Sequence, residues 1–204
     1  MARTGVQTWL KVVCVLSGSI VNAMVMPGLC PSVKEKDDVD LEQFMGTWYE
    51  VLRTPFIMES FVNCVKFHYL DKGDTDNIAV RLKGERATVS SVFSTNDRGT
   101  AVVIDGEINV KDGKPGSITL KANSFKYTSP MRVVATDYTT YAVLWACENN
   151  LISGIARREN IWVLSRTYTL NVTMQKVIMD HLKKETYSSY FLLPTDQRNC
   201  VGRL

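Results

Sequence analysis

Histidine is scarce in this 204-residue chain, which has only His68 and His181. A histidine-based active site would have to use one of these two. The chain also lacks a Gly-x-Ser-x-Gly elbow, a His-Glu-x-x-His pair, a Gly-x-Gly-x-x-Gly turn and a Walker loop, so the common hydrolase, metalloprotease, dinucleotide and nucleotide motifs are missing. There is no Cys-x-x-Cys pair to suggest zinc. Basic residues are scattered, with only the short pairs Arg157-Arg158 and Lys183-Lys184, which leaves no nucleic-acid footprint. The apolar run over residues 12–21 is too short to cross a bilayer. The chain is also too short for a multidomain enzyme. With 45% hydrophobic and 22% charged residues it has globular rather than disordered proportions, and one core is expected.

The first residues differ from the rest. Arg3 and Lys11 precede the apolar run, no acid is present there, and Val21-Asn22-Ala23 offers compact residues at the positions a signal peptidase reads. The expectation is a signal peptide over residues 1–23 and a single domain over 24–204; the other reading of the same pattern is a buried N-terminal helix. Removing the leader leaves 22 basic residues against 21 acidic ones, so the apparent basicity belongs partly to the leader. Cys14 leaves with it, and Cys30, Cys64, Cys147 and Cys200 remain. An even number of widely spaced cysteines in a secreted, extracellular chain points to disulfides, and four cysteines allow three pairings between which spacing does not choose.

From Thr47 to about Arg166 short segments rich in Val, Ile, Thr and aromatics alternate with turn chemistry at Asp71-Lys72-Gly73, Lys83-Gly84, Asn96-Asp97-Arg98-Gly99, Asp112 to Gly116 and Asn149-Asn150. Eight principal strands are expected at 46–54, 63–71, 87–94, 100–109, 117–126, 131–136, 140–148 and 158–167, with 77–83 as additional strand in an extended hairpin. After Asn171, an N-cap residue type, Met174, Val177, Ile178, His181 and Leu182 recur at three- and four-residue steps and predict one helix packed by a single stripe. An eight-stranded antiparallel meander buries one face by closing or by stacking sheets. Closure removes exposed edges, and a barrel of this size can hold one small ligand.

Three local patterns carry a resemblance. Gly46-Thr47-Trp48 opens the first strand, Thr136-Asp137-Tyr138 joins two late strands, and Arg166 ends the last. In this order and spacing they resemble the signature regions of the lipocalin family, over about residue 28 to Cys200. Cys30-Pro31, Cys64, the Tyr141 to Cys147 strand and Asp196-Gln-Arg-Asn-Cys200 are similar to the apolipoprotein D and insect bilin-binding (insecticyanin-like) subgroup. The resemblance implies an all-β, eight-stranded, antiparallel up-and-down lipocalin β-barrel with one C-terminal α-helix packed outside, and the pairs Cys30 with Cys147 and Cys64 with Cys200. Physically, a glycine lets the backbone turn into the first strand, Trp48 closes the barrel floor, and the Arg166 guanidinium can lie on the indole while donating to carbonyls. Gly46, Trp48, Asp137 and Arg166 are therefore expected to be structural. The chain departs from the subgroup by about ten extra residues between Cys64 and Val89, which leaves the register of 71–88 open.

Strand alternation anchored on Arg166 turns Leu164, Trp162, Asn160 and Arg158 inward. An outward Cys147 does the same for Ala146, Leu144 and Ala142. A single bulge would instead face Trp162 outward, under the helix. The resemblance adds Ser91, Phe93, Ile104, Leu120, Phe125, Tyr127 and Met131 as lumenal candidates. The first loop, Pro55 to Glu59, is apolar for a connection, so Phe56 and Met58 are expected at the open rim, at a ligand entry or membrane-contact surface, or else folded onto the external helix. Arg158 near the mouth is a candidate partner for a carboxylate or propionate.

The resemblance thus implies a secreted carrier of one small hydrophobic ligand, with biliverdin favoured and fatty acids, sterols and retinoids close behind. No cofactor is required and no metal is expected. A second class is a membrane- or protein-interaction module acting through the apolar rim, including transient receptor contact. A lipocalin-type isomerase would need a free lumenal thiol such as Cys64, and the four cysteines are expected in bridges, so the protein is read as not an enzyme. Asn171-Val172-Thr173 is an N-glycosylation sequon.

Overall fold

The computed structural model describes residues 25–33, 36, 38–55, 59, 61–74, 77–86, 100–111, 114–122, 127–151, 155–185, 191–198 and 200. The expected leader, residues 1–23, and its boundary therefore lie outside the described residues. In chain order the elements are β1 (Val25–Pro27), α1 (Leu41–Phe44), β2 (Gly46–Arg53), β3 (Val62–Asp74), β4 (Asn77–Arg86), β5 (Thr100–Lys111), β6 (Lys114–Ala122), β7 (Tyr127–Thr136), β8 (Tyr141–Leu151), β9 (Ala156–Ser165), α2 (Val172–Lys184) and β10 (Leu193–Pro194). Each of β2 to β9 pairs antiparallel with its sequence neighbour, and a β9–β2 ladder from Tyr49↔Ser165 to Arg53↔Trp162 closes the ring. The fold is all-β, an up-and-down barrel of eight strands with one long helix outside.

One expectation is corrected. The third barrel strand is β4, which pairs along ten residues with β5, from Asn77↔Asn109 to Arg86↔Thr100, and with β3 on its other edge. Residues 77–83 are thus not an accessory to a strand at 87–94, and 87–94 lies outside the described residues. Lys83-Gly84, expected as a turn, sits inside β4 with Gly84 paired to Val102. A Cβ there would come within 2.5 Å of the Val62 side chain, so the glycine admits close approach of β3. Asn149 and Asn150 likewise lie within β8, where the register shifts between Glu148 and Leu151.

Alternation along the strands produces two apolar layers. Val65, Phe67 and Tyr69 of β3, Ile78, Val80 and Leu82 of β4, Met131 and Val133 of β7, Ala142, Leu144 and Ala146 of β8, and Trp162 and Leu164 of β9 belong to the inner cluster with Trp48. The alternate residues Val143, Trp145, Ile161 and Val163 face outward and meet Ile178 and Leu182 of α2. The Asn171 side chain caps α2 by accepting from Met174 N at 2.8 Å. Val177, which spacing placed in the apolar stripe, is 51% exposed, and burial falls on Ile178 and Leu182, one turn apart.

Past Tyr49, β2 and β3 separate, and the C-terminal tail fills the gap. β10 pairs with Leu52 and Arg53, Cys64 N donates to Asp196 O at 2.8 Å, and Gln197 Nε2 donates to Glu50 O and Val65 O, both at 2.8 Å. The disulfides Cys30–Cys147 and Cys64–Cys200 fix the N-terminal segment to β8 and the tail to β3.

Candidate functional site

The barrel floor is built by the residues of the three local patterns. Gly46 has φ +93°, a conformation that suits glycine, and places Trp48 at the base of β2 with no exposed surface. The indole packs on Phe44, with ring centroids 5.3 Å apart, and its Nε1 donates to Phe44 O at 2.8 Å. The Arg166 guanidinium lies 3.7 Å from the indole centroid. It donates to Tyr138 O at 2.9 Å, Met45 O at 2.9 Å, Thr47 O at 3.0 Å and Gln43 O at 2.8 Å, tying α1, β2 and the β7–β8 turn into one knot. In that turn Asp137 Oδ1 accepts from the amides of Thr139, Thr140 and Tyr141. Burial works against its charge, yet these three donors hold its carboxyl below the usual value of 3.8.

Above the floor the wall is apolar. Ile104, Met131, Leu144, Ala146, Trp162 and Leu164 all lie in the inner cluster, and Asn160, 2% exposed, faces the same side two residues from Trp162 and across from Ala146. Arg158 continues that face, and its Nη1 donates to Glu148 Oε2 at 3.4 Å. Leu120 and Tyr127 lie on β6 and β7 in paired positions, but nothing is described of their side chains. Phe56, Met58, Ser91, Phe93 and Phe125 lie outside the described residues.

A polar cluster that the sequence reading missed sits between the floor and the mouth. Glu50 has no exposed surface and Glu59 is 3% exposed. Arg53 forms an ion pair with Glu50, and its Nη2 donates to Glu59 O at 2.7 Å and Val62 O at 2.9 Å. Thr195 also donates to Glu50 Oε1, and Trp162 Nε1 donates to Glu59 Oε2 at 3.1 Å. Burial, then the negative charge of Glu50, pushes the Glu59 carboxyl well above its usual value, more than Arg53 can offset. Burial also raises the Tyr69 hydroxyl, with the two glutamates adding to it. Glu50 was legible by alternation from Trp48, but Glu59 comes from a loop and Thr195 from the tail, neither of which carries a periodic signal.

These features define a class: an antiparallel barrel whose lumen is plugged at one end and walled mainly by apolar side chains. Residues 39–197 match the family model described as a lipocalin-like domain, and the chain belongs to that family. It is similar to apolipoprotein D of Cavia porcellus, with 27% identity over 85% of this chain and 85% of the relative. It is also similar to insecticyanin-B of Manduca sexta, with 29% identity over 77% of this chain and 72% of the relative. Among solved structures, lobster apocrustacyanin A1 superposes with a TM-score of 0.71 at 19% identity, covering 88% of this chain and 93% of the other. Insecticyanin from Manduca sexta gives a TM-score of 0.70 at 22% identity, covering 85% and 89%.

Proposed function

We propose that the protein is a secreted carrier that holds one small hydrophobic molecule in the barrel lumen and transforms nothing. The observation that carries this reading is the inner face of β8 and β9, where Ala142 and Ala146 stand across from the large residues Leu164 and Asn160 around Trp162, all on the lumenal side of a ring with a sealed floor. Small residues on one wall leave room for a guest, and apolar burial at roughly 25 cal/mol per Å² supplies affinity while a few polar atoms set orientation. Residues 1–23 are its signal peptide and 24–204 the mature domain, in keeping with the two disulfides. Ile104, Met131, Leu144, Ala146, Arg158, Asn160, Trp162 and Leu164 are the residues with described side chains assigned to the ligand. Biliverdin is the favoured guest, ahead of fatty acids, sterols and retinoids. A carrier rather than an isomerase is favoured because Cys64, the candidate thiol, is bonded to Cys200.

The test is an absorption spectrum of protein from its natural source, followed by organic extraction and mass spectrometry. A visible band lost with an extracted tetrapyrrole, and weakened by Trp162→Ala, establishes a bilin carrier. A colourless protein that yields lipid makes it a lipid carrier, and an empty lumen that takes up no hydrophobic probe refutes the carrier reading. One observation favours a second reading, contact with a membrane or receptor through the rim: Phe61 and Ile155, in loops at the open end, are 74% and 69% exposed. Binding to vesicles that persists with the lumen filled would support it.

A further inference from the structure

The wall of the barrel contains a buried polar atom that the fold does not use. Asn160 is 2% exposed, yet its Oδ1 has no hydrogen-bond partner among the described residues. The β8–β9 ladder runs without a register shift from Tyr141↔Ser165 to Glu148↔Arg158, so Asn160 points to the same side as Trp162 and Leu164, both members of the inner cluster. An unpaired acceptor in such a place is destabilising unless a guest or ordered water donates to it. Two positions along the same face, Arg158 has a buried Nε that is also without a partner among the described residues. Its Nη1 is engaged by Glu148.

The charged groups beneath narrow the choice of guest. The cluster at Glu50, Arg53 and Glu59 contains two carboxyl groups and one guanidinium, and Arg53 is already bonded to Glu50, Glu59 O, Val62 O and Thr195 Oγ1. Among the described residues, no cation in this cluster remains to neutralise an incoming anion. Arg158, the cation on the Asn160 face, is itself paired with Glu148, so a guest carboxylate would meet no uncommitted cation among the described residues of this wall, and burying an uncompensated charge is far costlier than burying a hydrogen-bonded alcohol.

We infer that Asn160 is the centre of a polar subsite on β9 that selects a neutral guest whose polar end donates a hydrogen bond, an alcohol or an N–H group, over a carboxylate. This rests on the carrier reading and sharpens it: hydroxylated sterols, retinol-like alcohols and the N–H groups of a linear tetrapyrrole fit, whereas a fatty acid carboxylate does not. Asn160 accepts from the guest, and Arg158 Nε can donate to the same polar end.

The test uses three probes with one hydrocarbon skeleton, retinol, retinyl methyl ether and retinoic acid, titrated at neutral pH into the full disulfide-bonded protein with tryptophan quenching as readout. Retinol is expected to bind about tenfold more tightly than the ether, which lacks the donor, in line with one buried hydrogen bond. Retinoate is expected to bind more weakly than retinol. Asn160→Leu should bring the affinities for retinol and the ether to within about twofold of each other, and a far-ultraviolet circular dichroism spectrum matching that of the parent shows that the variant folds. Equal binding of retinol and ether by the unaltered protein overturns the subsite but leaves the carrier reading standing, as does tightest binding of retinoate or a retinol preference that survives Asn160→Leu. Failure of all three probes to bind overturns both for guests of this class. If the leucine variant does not fold, the ratio measured on the unaltered protein decides alone.

Discussion

At the scale of single residues, the barrel floor depends on Arg166, because four directed hydrogen bonds and a stacking contact at 3.7 Å meet in one planar group. Lysine keeps the charge but can neither lie flat on Trp48 nor reach carbonyls from three segments at once. Arg166→Lys should therefore lower stability by about 2 to 3 kcal/mol, read as a fall in the denaturation midpoint without a change in slope. A variant as stable as the parent would show that the knot is ornamental. Asp137 is a smaller case of the same logic: Asp137→Ala leaves three amides to water and should cost about 1 to 2 kcal/mol. These positions were legible in the sequence because glycine at positive φ, a fork-shaped cation and a turn-capping aspartate each do something few other residues can. The Glu50, Arg53 and Glu59 cluster was not legible as a unit: alternation from Trp48 turns Glu50 inward, but Glu59 comes from a loop and Thr195 from the C-terminal tail, and nothing local brings them to it.

At the scale of elements, period-two alternation placed Trp162 and Leu164 inward and Ile161 and Val163 outward because β9 has no bulge between them. In β4, by contrast, Gly84 has the local look of turn punctuation yet lies inside the strand. The constraint on it is steric and comes from Val62 on the neighbouring strand, which no local pattern contains. At helix α2, the capping residue Asn171 is also the asparagine of the sequon Asn171-Val172-Thr173. Asn171 uses Oδ1 to cap the helix, and a glycan would attach at the side-chain nitrogen, which leaves the cap in place. Capping predicts that Asn171→Ala costs about 1 kcal/mol while Asn171→Asp, which keeps the oxygen, costs little, although both abolish the sequon. Thermal denaturation of unglycosylated protein separates the two effects. If the alanine and aspartate variants are equally stable, the cap contributes nothing.

At the scale of the whole molecule, the tail and the first loop complete the barrel where β2 and β3 part. Their attachment converges on the buried carboxyl pair. Glu59 holds its loop against Trp162 and Arg53 in a form in which burial and Glu50 together favour the proton. A carboxyl whose folded pKa lies above its unfolded value binds more protons in the folded state, so stability must fall as pH rises. The contribution is complete below the ordinary carboxylate value of 4.5 and is lost progressively up to the raised pKa of Glu59. Glu50, itself raised by burial despite Arg53, adds to the same trend. Asp137 runs the other way, its contribution lost only below 3.8, so the two effects do not overlap in pH. The unfolding midpoint should therefore decline across the range above pH 4.5, and Glu59→Gln, which keeps the shape and the acceptor for Trp162 but cannot ionise, should flatten that decline. Denaturation curves of the parent and the glutamine variant at stepped pH decide it. An identical slope in both would mean that Glu59 does not govern the trend, and a parent that grows more stable with rising pH in this range would mean that Arg53 holds both carboxylates ionised.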